Sequence, residues 1–391
     1  MDFRFTAAEE AFRHEARSWF TAHRPAHPLP SMDTAHGFDS HREWERELHR
    51  GGWSVVAWPE RYGGRGLDLV RWLICEEEYY RADLPGRVNQ NGIYMLGPTL
   101  LDHGTAEQRA RFLPPMARGD ELWCQGWSEP DAGSDLAALT SRATRDGNEY
   151  VLNGQKTWVS RGAFADWMFG LFRTGSTEDR HRALTFILVP MDADGLTVRP
   201  IQQLDGESGF AEVFLEDVRV PVDLVVGSEN AGWAIAMATA GFERGVLLRS
   251  PGRFVATADR LVDLHLRTMA GDAEGPGDAA RLRVADAWMR AQVHRLHTYW
   301  TVQRIMDGDD IGAEASLNKI FWSEMDIELH EAALGLLGDR GELTGAAPAA
   351  VDYGRWLDGL QFALAGPIYA GSNQIQRNIV ADRVLRLPRG S

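Results

Sequence analysis

The sequence predicts a mainly α protein with a small β-barrel in its middle. Three patterns predict it: capped helical stripes at the front, short β-rich segments from about Leu122, and helical stripes again after Ser228. At the front, Thr6 and Glu9 have capping-box spacing ahead of Phe12, Ala16, Trp19 and Phe20, and Thr105 and Gln108 repeat the device ahead of Phe112. Between them, LVRWLICEEEYYRA from Leu69 keeps helical spacing, while WPERYGGRGLD from Trp58 reads as a Gly-rich turn region. In the middle, EYVLNGQKTWVS, ALTFILVP, LTVRPIQ and AEVFLEDVRVP are short, rich in β-branched and aromatic residues, and punctuated by Asn-Gly, Asp-Gly and Pro. Helical stripes then run through ENAGWAIAMATAGFERGVLLRS, Leu282 to Met306 and Ala313 to Leu337, with AGDAEGPGDAA from Ala270 as a loop. The expected domains are an N-terminal helical domain over 1–121, a β-barrel over 122–227 and a helical bundle over 228–391.

Composition narrows the function. With 391 residues, 44% of them hydrophobic, the chain is long enough to bury a large core. Lys plus Arg number 41 against 56 Asp plus Glu, a net charge of −15, so the surface repels polyanions and nucleic acid is not an expected partner. An anionic cofactor needs its own local Arg or helix N-terminus. Only Cys75 and Cys124 are present, which excludes a disulfide framework and a cysteine-built metal site, and no metal is expected. The first twenty residues read as an amphipathic helix rather than a cleavable leader, nothing later is long and apolar enough to span a bilayer, and a cytoplasmic location is the default.

Near the end, AGPIYAGSNQIQRNIV over 365–380 looks like a ligand-binding loop leading into a helix, with Ser372 as cap and Ile375 and Ile379 on one face. Tyr369, Ala370 and Gly371 offer no acid and no nucleophile. Three motifs in order, WCQGWSEPDAGSDLAALTSRA from Trp123, YVLNGQKTWVSRGAFADW from Tyr150 and YAGSNQIQRNIVADRVLRLP from Tyr369, resemble the acyl-CoA dehydrogenase family over nearly the whole chain. The resemblance implies that family's fold: an N-terminal helical domain, a middle β-barrel and a C-terminal four-helix bundle, with FAD and an acyl thioester meeting between them.

Residue by residue, the resemblance gives Gln125 to Ser128 to the strand whose backbone and hydroxyl bind the flavin ring. By the same comparison Ser134 contacts the phosphopantetheine arm, although alone it would pass for a turn serine. Trp158 and Ser160 match a Trp-x-Thr/Ser pair in which the indole covers the flavin and the hydroxyl bonds near N5, favouring the reduced form. Ser372 and Gln374 correspond to positions that touch FAD, in the same subunit or across a subunit boundary.

Making an α,β-enoyl thioester requires a carboxylate to take the α-proton while the β-hydride leaves for the flavin, with donors on the thioester oxygen. Many family members place the base just before the Gly-Thr or Gly-Ser of the C-terminal loop, where this chain has Ala370. Its backbone N–H still suits the thioester oxygen, but it takes no proton. A minority, resembling the isovaleryl-CoA and long-chain dehydrogenases, keep the base on a bundle helix directly before an Arg, and Glu243 followed by Arg244 matches. Helical spacing puts Ala236, Thr239, Ala240, Val246 and Leu247 on the face of Glu243, a setting that raises a carboxyl's pKa. Arg244 points elsewhere on the helix and is assigned with the substrate-binding residues. Glu129 and Asp135 are weaker candidates, in a loop where side chains ordinarily cap their own backbone.

The chain departs from the family in the loop MAGDAEGPGDAARLRV, which lacks the Arg-x-x-Phe-Gly stretch that binds FAD of the neighbouring subunit. Either Arg281 or Arg283 substitutes, or another subunit supplies the contacts. The expected partners are an acyl-CoA, an electron-transfer flavoprotein, and further chains in a homodimer, a homotetramer or a hetero-oligomer with a second dehydrogenase. Two alternatives keep the fold: a dehydrogenase, oxidase or monooxygenase relative, acting for example on a carrier-protein thioester, and a non-catalytic subunit that completes a partner's flavin site.

Overall fold

The computed structural model describes residues 4–244, 250–271, 277–309 and 311–388; of 242–244, 270 and 271 it describes the helical backbone alone. In chain order the helices before the sheet are α1 (Ala7–His23), α2 (Ala35–Arg50), α3 (Leu69–Arg81), α4 (Gly97–His103) and α5 (Ala106–Arg118). The strands are β1 (Trp123–Gly126), β2 (Arg142–Asp146), β3 (Glu149–Ser160), β4 (Trp167–Arg173), β5 (Leu184–Pro190), β6 (Leu196–Ile201), β7 (Phe210–Pro221) and β8 (Val225–Val226). After them come α6 (Gly232–Arg244), α7 (Pro251–Gly271), α8 (Asp278–Met306), α9 (Ala315–Leu337), α10 (Arg355–Leu364) and α11 (Asn373–Ile379). By contacts the chain forms two units that interleave in sequence: a helical unit from the segments up to Arg24, Asp68–Leu84 and from Arg244 on, and a β unit from Pro25–Leu67 and Pro85–Glu243.

Both capping boxes form as the sequence predicts. The Thr6 hydroxyl accepts from the Glu9 amide at 3.3 Å while the Glu9 carboxylate accepts the Thr6 amide at 2.7 Å, and Thr105 and Gln108 do the same at 3.2 and 3.0 Å. In the helical unit α1 buries Phe12, Ala16 and Phe20, and Trp19 stays half-buried, stacked on His23. The core sets large rings, Phe254, Trp322 and Trp356, against small residues, Ala258, Ala287, Ala291 and Ala333, which let α7, α8 and α9 approach closely. The acidic run of α3 is buried: Glu78 takes both guanidinium arms of Arg17, at 2.8 and 3.0 Å, and Glu77 takes Arg13 and Arg295.

The β unit is built on an eight-stranded sheet of order β6-β7-β3-β2-β4-β5-β8, with β1 joined to β4 in parallel. The four segments read from sequence become β3, β5, β6 and β7. Strands β1 and β4 escape the pattern because Gly126 and Gly170 face each other across them, and glycine reads as an interruption. A Cβ on Gly126 would lie 2.2 Å from the Met168 sulfur, so any larger residue there would have to displace that side chain. Among the described residues no helix is long and apolar enough to cross a membrane.

A buried charge pair fixes the start of β1. Arg87 and Glu45 are 7% and 2% exposed and bond through both carboxylate oxygens, the closest contact being 2.8 Å. Glu45 also accepts the Asn89 amide, and the fully buried Asn89 side chain accepts the Trp123 amide at 3.1 Å. Arg87→Met strands the Glu45 carboxylate and is expected to cost about 3–5 kcal/mol in urea unfolding, with Glu45→Gln in the same chain recovering part of the loss.

Candidate active site

Strand β1 ends at Gly126, so Gln125 lies in the strand, paired with Phe169, and Ser128 lies two residues beyond it. Strand β3 slips register between Lys156 and Val159, and inside that bulge Trp158 takes a left-handed φ of 58°. This is an uncommon backbone state for a large side chain. The bulge turns the indole out: Trp158 is 59% exposed, edge-on to Phe210 at 5.9 Å. The Thr157 amide donates to the Ser128 carbonyl at 2.9 Å, tying the end of β1 to the bulge. Ser128 and Ser160 are half-buried, and among the described residues neither hydroxyl has a hydrogen-bond partner.

Beneath this face sits a charge pair. Lys156 is fully buried, and its ammonium donates to Glu129 and to the Leu171 carbonyl, both at 2.7 Å, 5.0 Å from the centroid of the Phe172 ring. Glu129 does not cap its own backbone, as its loop position suggests. It accepts the Thr140 amide and hydroxyl at 2.6 and 2.9 Å and the Ser141 amide at 2.9 Å. Burial alone pushes its carboxyl up, but the Lys156 ammonium and these donors outweigh burial and hold it down at about 2. Burial lowers the Lys156 ammonium, with the Glu129 carboxylate opposing. A carboxylate so fully engaged is no general base. Asp135, the other loop acid, pairs with Arg180 at 2.5 Å.

Ser134 is exposed on the same loop, and the turn that follows is held from below. The guanidinium of the buried Arg173 donates to the carbonyls of Ala137 and Leu139 at 2.8 and 2.9 Å.

In the helical unit, Ala370 and Gly371 both take left-handed backbone, with φ of 57° and 79°. The buried Gln376 amide donates to both of their carbonyls, at 3.0 and 3.1 Å. Ser372 caps α11 through the Ile375 amide at 3.4 Å, as the sequence predicts, and Gln374 is exposed. Asn373 is buried, accepting Lys319 at 2.8 Å and donating to Ser323 at 3.1 Å.

Glu243 and Arg244 end α6, and their side chains lie outside the described residues, as do Val246 and Leu247 entirely. On the Glu243 face, Thr239 and Ala240 one turn earlier and Ala236 two turns earlier are buried, and the Thr239 hydroxyl meets that of Thr99 at 2.8 Å. Of the loop after Ala270, residues 272–276 lie outside the described residues; Arg281 is exposed and pairs with Asp278 at 3.2 Å, and Arg283 is exposed.

The N-terminal, middle and C-terminal domains of acyl-CoA dehydrogenase match residues 6–120, 124–218 and 230–385 respectively. The chain belongs to the acyl-CoA dehydrogenase family. It is 39% identical to acyl-CoA dehydrogenase IpdE1 of Mycobacterium tuberculosis over 97% of this chain and 98% of that protein. Among solved structures, the ChsE4-ChsE5 complex from Mycobacterium tuberculosis aligns with a TM-score of 0.87 at 31% identity over the whole of both chains. The Tcur3481-Tcur3483 steroid ACAD aligns with a TM-score of 0.85 at 29% identity, again over the whole of both chains.

Membership makes this acyl-CoA dehydrogenase an oxidoreductase and a flavoprotein. The β unit fits a flavin: a flat ring thrown outward on strained backbone, with two unpartnered hydroxyls on the flanking segments, supplies a stacking surface and polar contacts for an isoalloxazine. Reading the sequence missed the residues that hold these groups, namely Lys156, Arg173, Gln376 and Asn373. Lys156 alone left a signal, as a cation on the inward parity of a strand that also carries Tyr150 and Leu152.

Glu129 makes the dehydrogenase acid-sensitive. Its folded carboxyl titrates at about 2 against an ordinary 4.5, so its stabilisation, about 3 kcal/mol, is complete above pH 4.5 and lost as pH falls toward 2. In urea unfolding, the stability gap between wild type and Glu129→Gln should therefore close between pH 5 and pH 2.5. A gap that is constant over that range would remove the carboxylate from this role.

Proposed function

We propose that this chain oxidises an acyl-CoA to its α,β-enoyl thioester on FAD, with Glu243 as base and a polycyclic acyl group as substrate class. The observation that carries the flavin reading is the exposed, left-handed Trp158 beside the Ser128 and Ser160 hydroxyls, in a chain of this family. The cofactor, when bound, supplies the acceptor for the β-hydride. The protein's part is the rest. Glu243 takes the α-proton, and its helix face, small and buried at Ala236, Thr239 and Ala240, favours a partly desolvated, more basic carboxylate. The Ala370 N–H donates to the thioester oxygen as enolate charge develops, from a loop whose carbonyls Gln376 holds. Trp158 would stack on the flavin, Gln125, Ser128 and Ser160 would supply its polar contacts, and Ser372 and Gln374 would be further FAD contacts. Ser134 and Arg244 bind the CoA substrate. Electrons then leave to an electron-transfer flavoprotein.

The substrate class follows the steroid ACAD among the structural relatives. The assembly proposed is a hetero-oligomer with a second dehydrogenase chain that completes the adenine half of the FAD site. The missing Arg-x-x-Phe-Gly supports it, as does a relative solved as the ChsE4-ChsE5 complex. So does the outer face of α8, where Leu282, Met289, Val293 and Leu296 are 65%, 52%, 56% and 39% exposed.

Two measurements test this reading. Purified alone, the chain should carry well under one FAD, rising toward stoichiometric when the partner chain is co-expressed; one FAD per chain without a partner overturns the hetero-oligomer. In the loaded complex, Glu243→Gln should keep its flavin but lose its bleaching by acyl-CoA by at least about a thousandfold. Turnover at the wild-type rate would move the base elsewhere.

A further inference from the structure

We propose that the buried Lys156–Glu129 pair is a positioning device that sets the spacing between the Ser128 segment and the Trp158 bulge, and through it the affinity and spectrum of the bound flavin. The inference rests on the flavin-binding reading given above. It starts from topology. Ser128 follows β1, which pairs with β4, whereas Trp158 belongs to β3, which pairs with β2 and β7. No strand ladder joins the two segments among the described residues. What spans them is the Thr157 amide on the Ser128 carbonyl and, beneath it, Lys156.

The ammonium has three donors, and all three have an acceptor. They go to Glu129 and the Leu171 carbonyl at 2.7 Å each and, more loosely, to the Trp127 carbonyl at 3.5 Å. Trp127 and Glu129 flank Ser128 in sequence, so one cation grips the Ser128 segment on both sides and anchors it to β4. Glu129 is itself fixed by Thr140 and Ser141, so the pair has little freedom to shift. The bulge begins immediately after Lys156. With that side chain drawn inward, the register slip throws Trp158 outward.

Energetics favour a geometric role over a stabilising one. Replacing a buried ion pair with apolar residues of similar volume is often neutral or stabilising, so stability alone does not call for this pair. Orientation does, because the three acceptors are satisfied together in one arrangement only.

The test compares wild type with Lys156→Met/Glu129→Leu, both in the complex with the partner chain and as the chain alone. The double variant should unfold at or above the wild-type midpoint. Its Thr157 amide should exchange with solvent about 100-fold faster, the FAD dissociation constant should rise about tenfold, and the visible flavin band should lose fine structure. A folded double variant with wild-type exchange at Thr157 and wild-type FAD affinity overturns the proposal. If the double variant fails to fold, Glu129→Asp decides. It keeps the charge but shortens the reach, and is expected to weaken FAD binding at near-unchanged stability, with Lys156→Arg added to restore it; wild-type affinity in Glu129→Asp overturns the proposal equally. Should the wild-type complex take up no FAD, the flavin reading falls, and Thr157 exchange still decides whether the pair sets the spacing.

Discussion

The ammonium of Lys156 is the constraint on which the outer face of the β unit depends. Removing a charge of that size from water costs several kcal/mol even after relaxation, and the cost is offset only where good acceptors converge. Here they converge from Trp127 and Glu129, on either side of Ser128, and from Leu171 of β4. Satisfying one cation therefore fixes the end of β1 against β3. Trp158 benefits in turn. A left-handed tryptophan stores about 1–3 kcal/mol of strain and persists only where its surroundings over-determine it, and the anchored residue two positions earlier supplies that determination.

This arrangement explains which parts of the molecule were legible in sequence. Capping boxes and strand alternation are local, and Thr6, Thr105, β3 and β7 form where those patterns place them. Even the bulge left a trace: β3 buries Tyr150, Leu152 and Lys156 on one parity and Val159 on the other, a change of phase in the pattern. What was not legible is long-range. Glu129 reads as a self-capping loop residue because its donors, Thr140 and Ser141, lie beyond any local window. The partners of the EEE run of α3 are equally distant in sequence: Arg13 and Arg17 come from α1 and Arg295 from α8.

The helical unit solves the same problem with neutral groups. On α11, Asn373 and Gln376 stand three residues apart on the buried face, while Ser372 and Gln374 stand outside it. The residues that resemble family contacts to the cofactor are thus the accessible ones, and those between them hold the turn. Gln376 takes the carbonyls of Ala370 and Gly371 together, which fixes two consecutive left-handed residues of which only one is glycine. Ala370 keeps that backbone at a cost glycine would not incur. The loop therefore holds a defined shape without a carboxylate at this position. In the reading proposed above, this loop supplies a peptide N–H to the oxyanion and α6 carries the proton acceptor.

The same separation of scaffold from chemistry bears on the partner chain. Helix α8 is apolar on two opposite sides: Val284, Ala287 and Ala291 enter the core, and Leu282, Met289, Val293 and Leu296 form a stripe facing away from it. A helix serving one core needs one apolar side, and the second gains stability only when something covers it, at roughly 1.5–3 kcal/mol for each fully buried side chain. In sequence, that stripe begins directly after the loop in which this chain departs from the family's FAD-binding pattern. A chain seated along Leu282 to Leu296 is carried by continuity to the segment that lacks the Arg-x-x-Phe-Gly stretch. The departure from the family's FAD-binding pattern and the uncovered apolar stripe are therefore adjacent, and the second chain proposed above accounts for both.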